Sequence, residues 1–148
     1  MTLFVPKEYG YCLLSVATMG LHCMSQAAMV GKARKKVGLK YPDQGNGKYA
    51  QKLTDDEWFE FNCAQRGHQH YLEIIAPTAI FALIAGLECP TTTAALVCTV
   101  MVGRQLYGSG YRAKGPEGRR IGAMLSIPTV FVLFAMAVFA SLRISELF

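Results

Sequence analysis

The chain reads RGHQHYLEIIAPTAIFALIAGL over residues 66–87, and this stretch decides the fold. Its apolar part, residues 74–87, would cover about 21 Å as a helix, whereas the hydrocarbon core of a membrane is about 30 Å thick. The following stretch, TTTAALVCTVMVGRQLYGSGY over residues 91–111, has an apolar part of only about 18 Å by the same measure. We therefore expect both helices to carry their polar ends, residues 66–73 and 103–111, into the membrane. Charged groups at that depth are costly, so they should face one another and a cavity, which marks a functional site.

Two further apolar blocks flank this pair. Residues 9–30 and 121–142 each contain about 20 residues without Lys, Arg, Asp or Glu, as expected of membrane-spanning helices. The first block follows Lys7 and Glu8, runs into a basic loop and lacks a clear cleavage site, so we expect a membrane helix and not a removable signal. Pro128 should bend the last helix without ending it. The sequence predicts an all-α integral membrane protein with four transmembrane helices.

The 148 residues suffice for a single domain. We expect helices over about 8–36, 55–88, 91–112 and 117–145. Thr54 and Glu57 have the spacing of a capping box, which should start the second helix.

Basic residues concentrate in two loops. Of the 15 Lys and Arg residues, 13 lie within residues 32–66 and 104–120. With four spans these loops share one face, which the positive-inside rule assigns to the cytosol, leaving both termini lumenal. We expect this charge to serve topology and ligand binding, and no nucleic-acid partner, because the chain carries no nucleic-acid-binding module.

The cysteines and histidines do not predict a metal site. Five cysteines are scattered without a CxxC spacing, and we expect Cys12, Cys23 and Cys98 to pack as small apolar residues. His68 and His70 are two residues apart, which is wrong for a metal pair on one helical face. We therefore expect no metal cofactor.

Polar side chains line up on single faces of the two middle helices. Arg66, His70 and Glu73 have i, i+4 and i+7 spacing, so they share a face of the second helix. A face of the third helix carries residues with i, i+3 and i+7 spacing: Arg104, Tyr107 and Tyr111. Arg119 and Arg120 open the fourth helix.

This set suits a small zwitterion with extra negative charge. Arginine forks pair carboxylates in a bidentate manner, Glu73 would pair an ammonium group, and the phenols would donate hydrogen bonds or stack. A simpler interpretation makes the Arg66–Glu73 pair a structural salt bridge and the tyrosines an interfacial belt. Lys35, Lys36 and Lys40 suit lipid headgroups, whereas Arg34 lies closer to the expected pocket.

Three segments resemble signature segments of the MAPEG family, membrane-associated proteins of eicosanoid and glutathione metabolism. They read FNCAQRGHQHYLE over residues 61–73, VGRQLYGSGY over 102–111 and GPEGRRIG over 115–122. Within the family the chain is most similar to the type 3 microsomal glutathione S-transferases, with which it also shares KEYG at 7–10 and KARKK at 32–36.

The resemblance implies a homotrimer of left-handed four-helix bundles with glutathione bound between neighbouring subunits, towards the cytosol. It implies that four residues bind glutathione within one subunit: Arg66, Glu73, Tyr107 and Tyr111. Arg34 and His68 would reach the same ligand from the adjacent subunit.

The resemblance also implies that Arg119 holds the glutathione thiolate, with Arg120 as its competitor. His70 stands where family members usually carry Asn, and it could donate a hydrogen bond there and titrate near neutral pH. The cysteine-bearing C-terminal tail of some type 3 relatives is missing, so we expect no palmitoylation at that end.

The chemistry follows from the thiol. A free thiol has a pKa near 8.5, and lowering it by two units needs roughly 2.7 kcal/mol of preferential anion stabilisation. One well-placed guanidinium can supply this. We expect conjugation of glutathione to lipophilic electrophiles that arrive through the membrane lipid. Glutathione-dependent reduction of lipid hydroperoxides, or a leukotriene-C-synthase-like activity, would use the same thiolate.

Two other functions stay open. A protein of the same fold could bind lipid or activate another enzyme without catalysis, and a small transporter is a more distant alternative. The endoplasmic reticulum is the expected membrane, because it is the family's usual location. The sequence does not identify the lipid substrate, nor the balance between transferase and peroxidase activity.

Overall fold

The computed structural model describes residues 5–146, in which all regular structure is helical. The four α-helices are α1 (Tyr9–Lys36), α2 (Asp55–Ala85), α3 (Pro90–Lys114) and α4 (Arg120–Ile144). Short 3₁₀ helices cover Ala50–Lys52 and Gly115–Arg119. The predicted all-α class is confirmed. Helix α4 begins at residue 120 and not at 117, because the turn after α3 is itself a 3₁₀ helix.

Two helical segments are long and apolar enough to cross a membrane. They are Tyr9–Lys36 and the helical run Pro90–Ile144, which the 3₁₀ helix divides into α3 and α4. Helix α2 carries charged and polar residues over 66–73, which lowers the hydropathy of its middle. Four membrane crossings, a left-handed bundle and a homotrimer stay predictions.

The start of α2 matches the expected capping box. The Thr54 hydroxyl accepts a hydrogen bond from the Glu57 amide at 3.3 Å, and the Glu57 carboxylate accepts one from the Thr54 amide at 2.9 Å. The Thr54 amide, and then its hydroxyl, lower the pKa of Glu57. Because these bonds satisfy amides that a helix start leaves unpaired, they fix where α2 begins.

The core lies where all four helices meet. Met19, Tyr71, Val97 and Leu133 come from α1, α2, α3 and α4 respectively, and each is at most 1% exposed. Helix α4 continues through Pro128, as predicted. Many large apolar residues instead face outward, including Phe131 and Phe139. Such a surface suits contact with lipid.

Helices α3 and α4 approach each other so closely that their contact requires glycine. A Cβ atom on Gly103 would lie 2.9 Å from the Ser126 amide nitrogen. A Cβ atom on Gly122 would overlap the backbone of Tyr107 and Gly103. This close contact holds the start of α4, and therefore Arg119 just before it, against the tyrosine face of α3.

The loop between α1 and α2 is organised around Asp43. Its carboxylate accepts hydrogen bonds from the backbone amides of Gly45, Gly47, Tyr49 and Ala50, at 2.8 to 2.9 Å. Burial would raise the pKa of Asp43, but these four donors outweigh it and lower the pKa to about 2. A fixed loop therefore covers the end of the molecule where α2 begins.

The polar stretches of α2 and α3 lie at the same end of the molecule, as predicted. Phe59 near the start of α2 lies beside Gly115 at the end of α3, where an added Cβ would come 2.8 Å from its ring. At the opposite end, the Cys12 thiol contacts the Ala82 carbonyl at 3.3 Å.

The prediction that Cys98 packs inside the protein is wrong, because Cys98 is exposed on this chain. Cys12 and Cys23 are buried, as expected.

Candidate functional site

One cavity of about 550 Å³ opens where α2, α3 and the start of α4 meet. Five polar residues line it: Arg66, His70, Tyr107, Arg119 and Arg120. Ala123, Met124 and Ile127 of α4 supply its apolar wall. All five polar residues belong to the polar set singled out from the sequence, so the fold gathers them into one hollow.

Glu73 joins this site through Arg66. The Arg66 guanidinium donates to the Glu73 carboxylate at 2.6 Å, across two turns of α2. The two side chains are 44% and 51% exposed, so the pair lies open to a ligand and to solvent. An ion pair this exposed contributes at most about 1 kcal/mol to stability, and this small gain leaves both groups available to a bound zwitterion.

Arg104 does not line the cavity. It is 1% exposed and turns between α2 and α3, where it donates to the Gly67 carbonyl at 3.0 Å and to Nδ1 of His70 at 2.8 Å. Its guanidinium also lies over the Tyr107 ring, 4.1 Å from the ring centre. The expectation that all the arginines of this set face the ligand is therefore wrong for Arg104. Nearby, α2 and α3 come close at Gly67 and Gly108, where a Cβ atom on Gly67 would lie 3.5 Å from the Gly108 Cα atom.

The two tyrosines of α3 lie side by side with ring centres 5.8 Å apart. The Tyr107 hydroxyl is buried and accepts or donates no hydrogen bond of good geometry among residues 5–146, although the Arg119 guanidinium approaches it. An unpaired buried hydroxyl is unfavourable, so this atom is suited to bond a ligand in the cavity. Tyr111 lines a neighbouring hollow of about 290 Å³, which also reaches Arg66 and Trp58.

Arg119 and Arg120 differ in what they contact. Arg120 forms an ion pair with Glu117, one turn earlier. The Arg119 guanidinium lies 5.8 Å from the centre of the Tyr111 ring, and no ion pair engages it within the described residues. Both line the cavity. Arg119 has no carboxylate partner within the described residues, and its main polar neighbour is the Tyr107 hydroxyl, which raises the pKa of Arg119.

Arg34 and His68 lie apart from the cavity within this chain. Arg34 is 6% exposed and donates to the Leu39 carbonyl and to Gln44, with the Tyr41 and Phe61 rings 4.3 and 4.9 Å away. His68 is half-buried on α2, and its Nδ1 has no hydrogen-bond partner in the described part of the chain. Their expected approach to a neighbouring subunit's ligand stays a prediction.

An apolar hollow of about 280 Å³ continues from the polar cavity along α2 and α4. His70 and Ile127 line both, and Ile74, Val130 and Phe131 complete the apolar part. Sequence reasoning missed this wall. The i, i+3, i+4 spacing of Ile127, Val130 and Phe131 on α4 is the signal that could have found it.

A second polar network, between α1, α2 and α3, was not predicted from the sequence. His22 bonds to the Tyr71 hydroxyl at 3.0 Å and to Gln105 at 3.2 Å, and Gln26 donates to Gln105 at 2.6 Å. The Arg104 guanidinium also lies near Tyr71, 5.2 Å from the ring centre. This network connects α1 to α2 and α3 behind the site.

Within the described residues, no cluster of three or more His, Cys, Asp or Glu side chains is placed to hold a metal.

Comparison with known families supports the resemblance seen in the sequence. The sequence model of the MAPEG family matches residues 11–139, which include every residue that lines the two hollows around His70. This family comprises glutathione transferases and peroxidases together with non-enzymatic members. The apolar helices and this match indicate an integral membrane protein whose function lies in glutathione or lipid metabolism. The chain belongs to the MAPEG family.

Proposed function

We propose that this protein is a membrane glutathione S-transferase that activates the glutathione thiol in the cavity of Arg66, Tyr107 and Arg119. The observation that carries the proposal is this shared cavity, into which three separate elements bring cations and a phenol. Glutathione is a peptide with two carboxylates, one ammonium and one thiol. The cavity offers matching groups, because arginines pair carboxylates and Glu73 can pair the ammonium.

Arg119 is the proposed activator of the thiol. Its guanidinium is not engaged by a carboxylate in the described residues, and it lies beside Tyr111 at the mouth of the cavity. A free cation next to the sulfur favours the thiolate, which is the nucleophile. The buried hydroxyl of Tyr107, which the Arg119 guanidinium approaches, would donate a second interaction to the same ligand.

The second substrate is proposed to be an apolar electrophile. The hollow of Ile74, Val130 and Phe131 shares His70 and Ile127 with the polar cavity, and Phe131 belongs to the exposed apolar surface. A lipophilic electrophile could enter there from the membrane while glutathione enters from water. A lipid hydroperoxide would fit the same route, so glutathione-dependent peroxidase or leukotriene-C-synthase-like activity is a second candidate.

The assembly and location complete the proposal. We propose a homotrimer most similar to the type 3 microsomal enzymes, in the endoplasmic reticulum, with the basic loops and the site facing the cytosol. Arg34 and His68 would then complete a neighbouring subunit's glutathione site. The concentration of 13 of the 15 basic residues within residues 32–66 and 104–120 supports that orientation.

The test compares two neighbouring arginines. Arg119→Ala should lower turnover with a general arylating electrophile at least tenfold, since the thiolate fraction falls when the thiol pKa returns towards 8.5. It should also remove the glutathione-dependent thiolate absorbance near 240 nm, a band that reports the bound thiolate. Glutathione affinity, measured by equilibrium binding, should change little.

Arg120→Ala tests the competing arginine, which lines the same cavity. It removes an equal charge one residue away, from a side chain already paired with Glu117. If the Arg119 variant kept its turnover and its thiolate band, the assignment would be refuted. If the wild-type protein bound lipid but showed no thiolate band, the rival function of a non-catalytic lipid-binding protein would be favoured.

A further inference from the structure

A buried cation without a carboxylate lies behind the cavity. Within residues 5–146, Arg104 forms no ion pair, although it is 1% exposed. Its hydrogen bonds go to a backbone carbonyl and to the His70 ring, and its guanidinium lies near the faces of Tyr107 and Tyr71. Its buried Nε has no hydrogen-bond partner among the described residues. Burying a guanidinium in this way is costly, so a specific role for it is worth seeking.

The bond between Arg104 and His70 determines the state of the imidazole. A guanidinium has only donors, so Nδ1 of His70, 2.8 Å away, must accept with a lone pair. A neutral imidazole that accepts at Nδ1 carries its proton at Nε2. Nε2 is then the ring nitrogen left to interact with whatever enters the two hollows that His70 lines.

We infer that Arg104 fixes His70 as the neutral Nε2–H tautomer, so that His70 offers the site a hydrogen-bond donor and neither a base nor a cation. Arg104 is thus a positioning residue that acts through His70. The bonding partner would be an acceptor atom of glutathione, or the anion that develops on the electrophile. This identification of the partner rests on the proposed function, whereas the tautomer does not.

The surroundings of His70 support a neutral ring. Arg104 and Tyr107 contact it from α3. The nearby charged groups on the other elements are Arg66 and Glu73 of α2 and Arg119 of the 3₁₀ helix. Three cations therefore oppose one carboxylate, and that carboxylate is already paired with Arg66. A second proton, on Nδ1, would point directly at the Arg104 guanidinium and break their bond.

Stacking holds the ring plane. The His70 and Tyr107 rings lie 4.8 Å apart with an interplanar angle of 24°. Tyr107 fixes the plane of the His70 ring, and the bond to Arg104 fixes the orientation of the ring within that plane. The direction of the Nε2–H bond is therefore set before a ligand arrives. Such preorganisation lowers the cost of ordering a donor at the moment of binding.

The chain is well suited to a direct test, because it contains only three histidines. We would label the protein with ¹⁵N-histidine, assign His70 by loss of its signals in His70→Asn, and record imidazole ¹⁵N spectra from pH 5.5 to 8 without glutathione. We expect His70 to show the neutral Nε2–H pattern throughout this range. Titration of His70 with a midpoint near 6.5, the usual value for histidine, would overturn the inference.

A second variant isolates the role of Arg104. Arg104→Met keeps a long side chain but removes the donors, so His70 should become a mixture of tautomers or begin to titrate. An unchanged His70 spectrum in that variant would show that Arg104 does not fix the ring. The wild-type spectrum decides the tautomer even if this variant fails to fold.

Activity gives an independent measurement. His70→Leu should raise the KM for glutathione or lower kcat by about tenfold, the typical loss of a hydrogen bond to a charged or developing-charge acceptor. His70→Asn, whose amide also donates, should recover more of this loss than His70→Leu does. Equal losses in the two variants would count against a donor role. Because the spectra need no ligand, they separate a failure of this inference from a failure of the glutathione assignment.

Discussion

Two buried arginines and two exposed arginines lie at the same end of the molecule, and they do different things. Arg34 and Arg104 are at most 6% exposed and bond to carbonyls, to an amide and to an imidazole, with aromatic rings beside them. Arg66 and Arg119 line the cavity and have side chains open to a ligand. Within one chain, burial therefore separates two arginines whose donors serve the protein from two that are open to an anion.

The difference has a physical basis. A guanidinium enclosed by protein has lost its water, and its donors must be used internally or its desolvation is uncompensated. An exposed guanidinium keeps its water until an anion displaces it, so its charge is available for recognition. By this criterion, substitutions of the buried pair should affect folding or the geometry of neighbours, and substitutions of the exposed pair should affect the ligand.

The largest expected effect on stability is at Arg104. Arg104→Ala removes a side chain buried among α2 and α3 and leaves a cavity, so we expect a loss of about 2–5 kcal/mol in the free energy of unfolding. Arg104→Met fills most of the same space without a charge, and replacing a buried ion by an apolar group of similar volume is often neutral or stabilising. Thermal unfolding in detergent measures both variants.

The contrast between those two variants is the informative result. If Arg104→Met were as unstable as Arg104→Ala, the charge itself would hold the helices together. If both were harmless, the close packing of α2 against α3 at Gly67 and Gly108 would be looser than the structure shows.

A smaller effect is expected at Arg34. Arg34→Lys keeps the charge but loses the planar group that lies near the Tyr41 and Phe61 rings and reaches Gln44. We expect a loss of about 1–3 kcal/mol, the typical range for breaking buried polar bonds. Faster proteolysis of the loop over residues 38–52 should accompany it. Lys35→Ala, which changes an exposed neighbour, is the control.

Glutathione binding by the Arg34 variant then tests its expected role between subunits. A loop that stays protected while glutathione affinity falls tenfold would place Arg34 at a neighbouring subunit's ligand. Loss of loop protection with unchanged affinity would make it a purely internal organiser, as its contacts within one chain suggest.

The sequence predicted the elements of this protein better than the directions of its side chains. The capping box at Thr54, the passage of α4 through Pro128 and the common end of the polar stretches all follow from local chemistry or chain topology. Helical spacing also placed Arg66, His70 and Tyr107 on faces that meet. These features depend on a few neighbouring residues, so they can be predicted from the sequence.

The spacing failed where helix contacts decide. Arg104 shares a face with Tyr107 and Tyr111, yet its guanidinium bonds to the Gly67 carbonyl and the His70 ring of α2 and is 1% exposed. Cys98 lies in an apolar run, which predicts an apolar environment. The run does not predict whether protein or lipid provides that environment, and Cys98 is exposed on this chain. In a membrane protein, apolar residues are suited to both surroundings, so composition alone does not distinguish inside from outside.

The smallest expected effect lies at the exposed pair, Arg66 and Glu73. A double-mutant cycle with Arg66→Met and Glu73→Gln should give a coupling of about 0.2–1 kcal/mol in the free energy of unfolding without ligand, as is usual for exposed ion pairs. With saturating glutathione, the wild type should gain more thermal stability than either single variant, because ligand binding stabilises the folded state according to its affinity. A coupling well above 1 kcal/mol without ligand would make the pair a structural bridge. Equal stabilisation of all four proteins by glutathione would instead show that neither residue belongs to the binding site. The distinction between exposed arginines that bind a ligand and buried arginines that organise the protein would then be wrong.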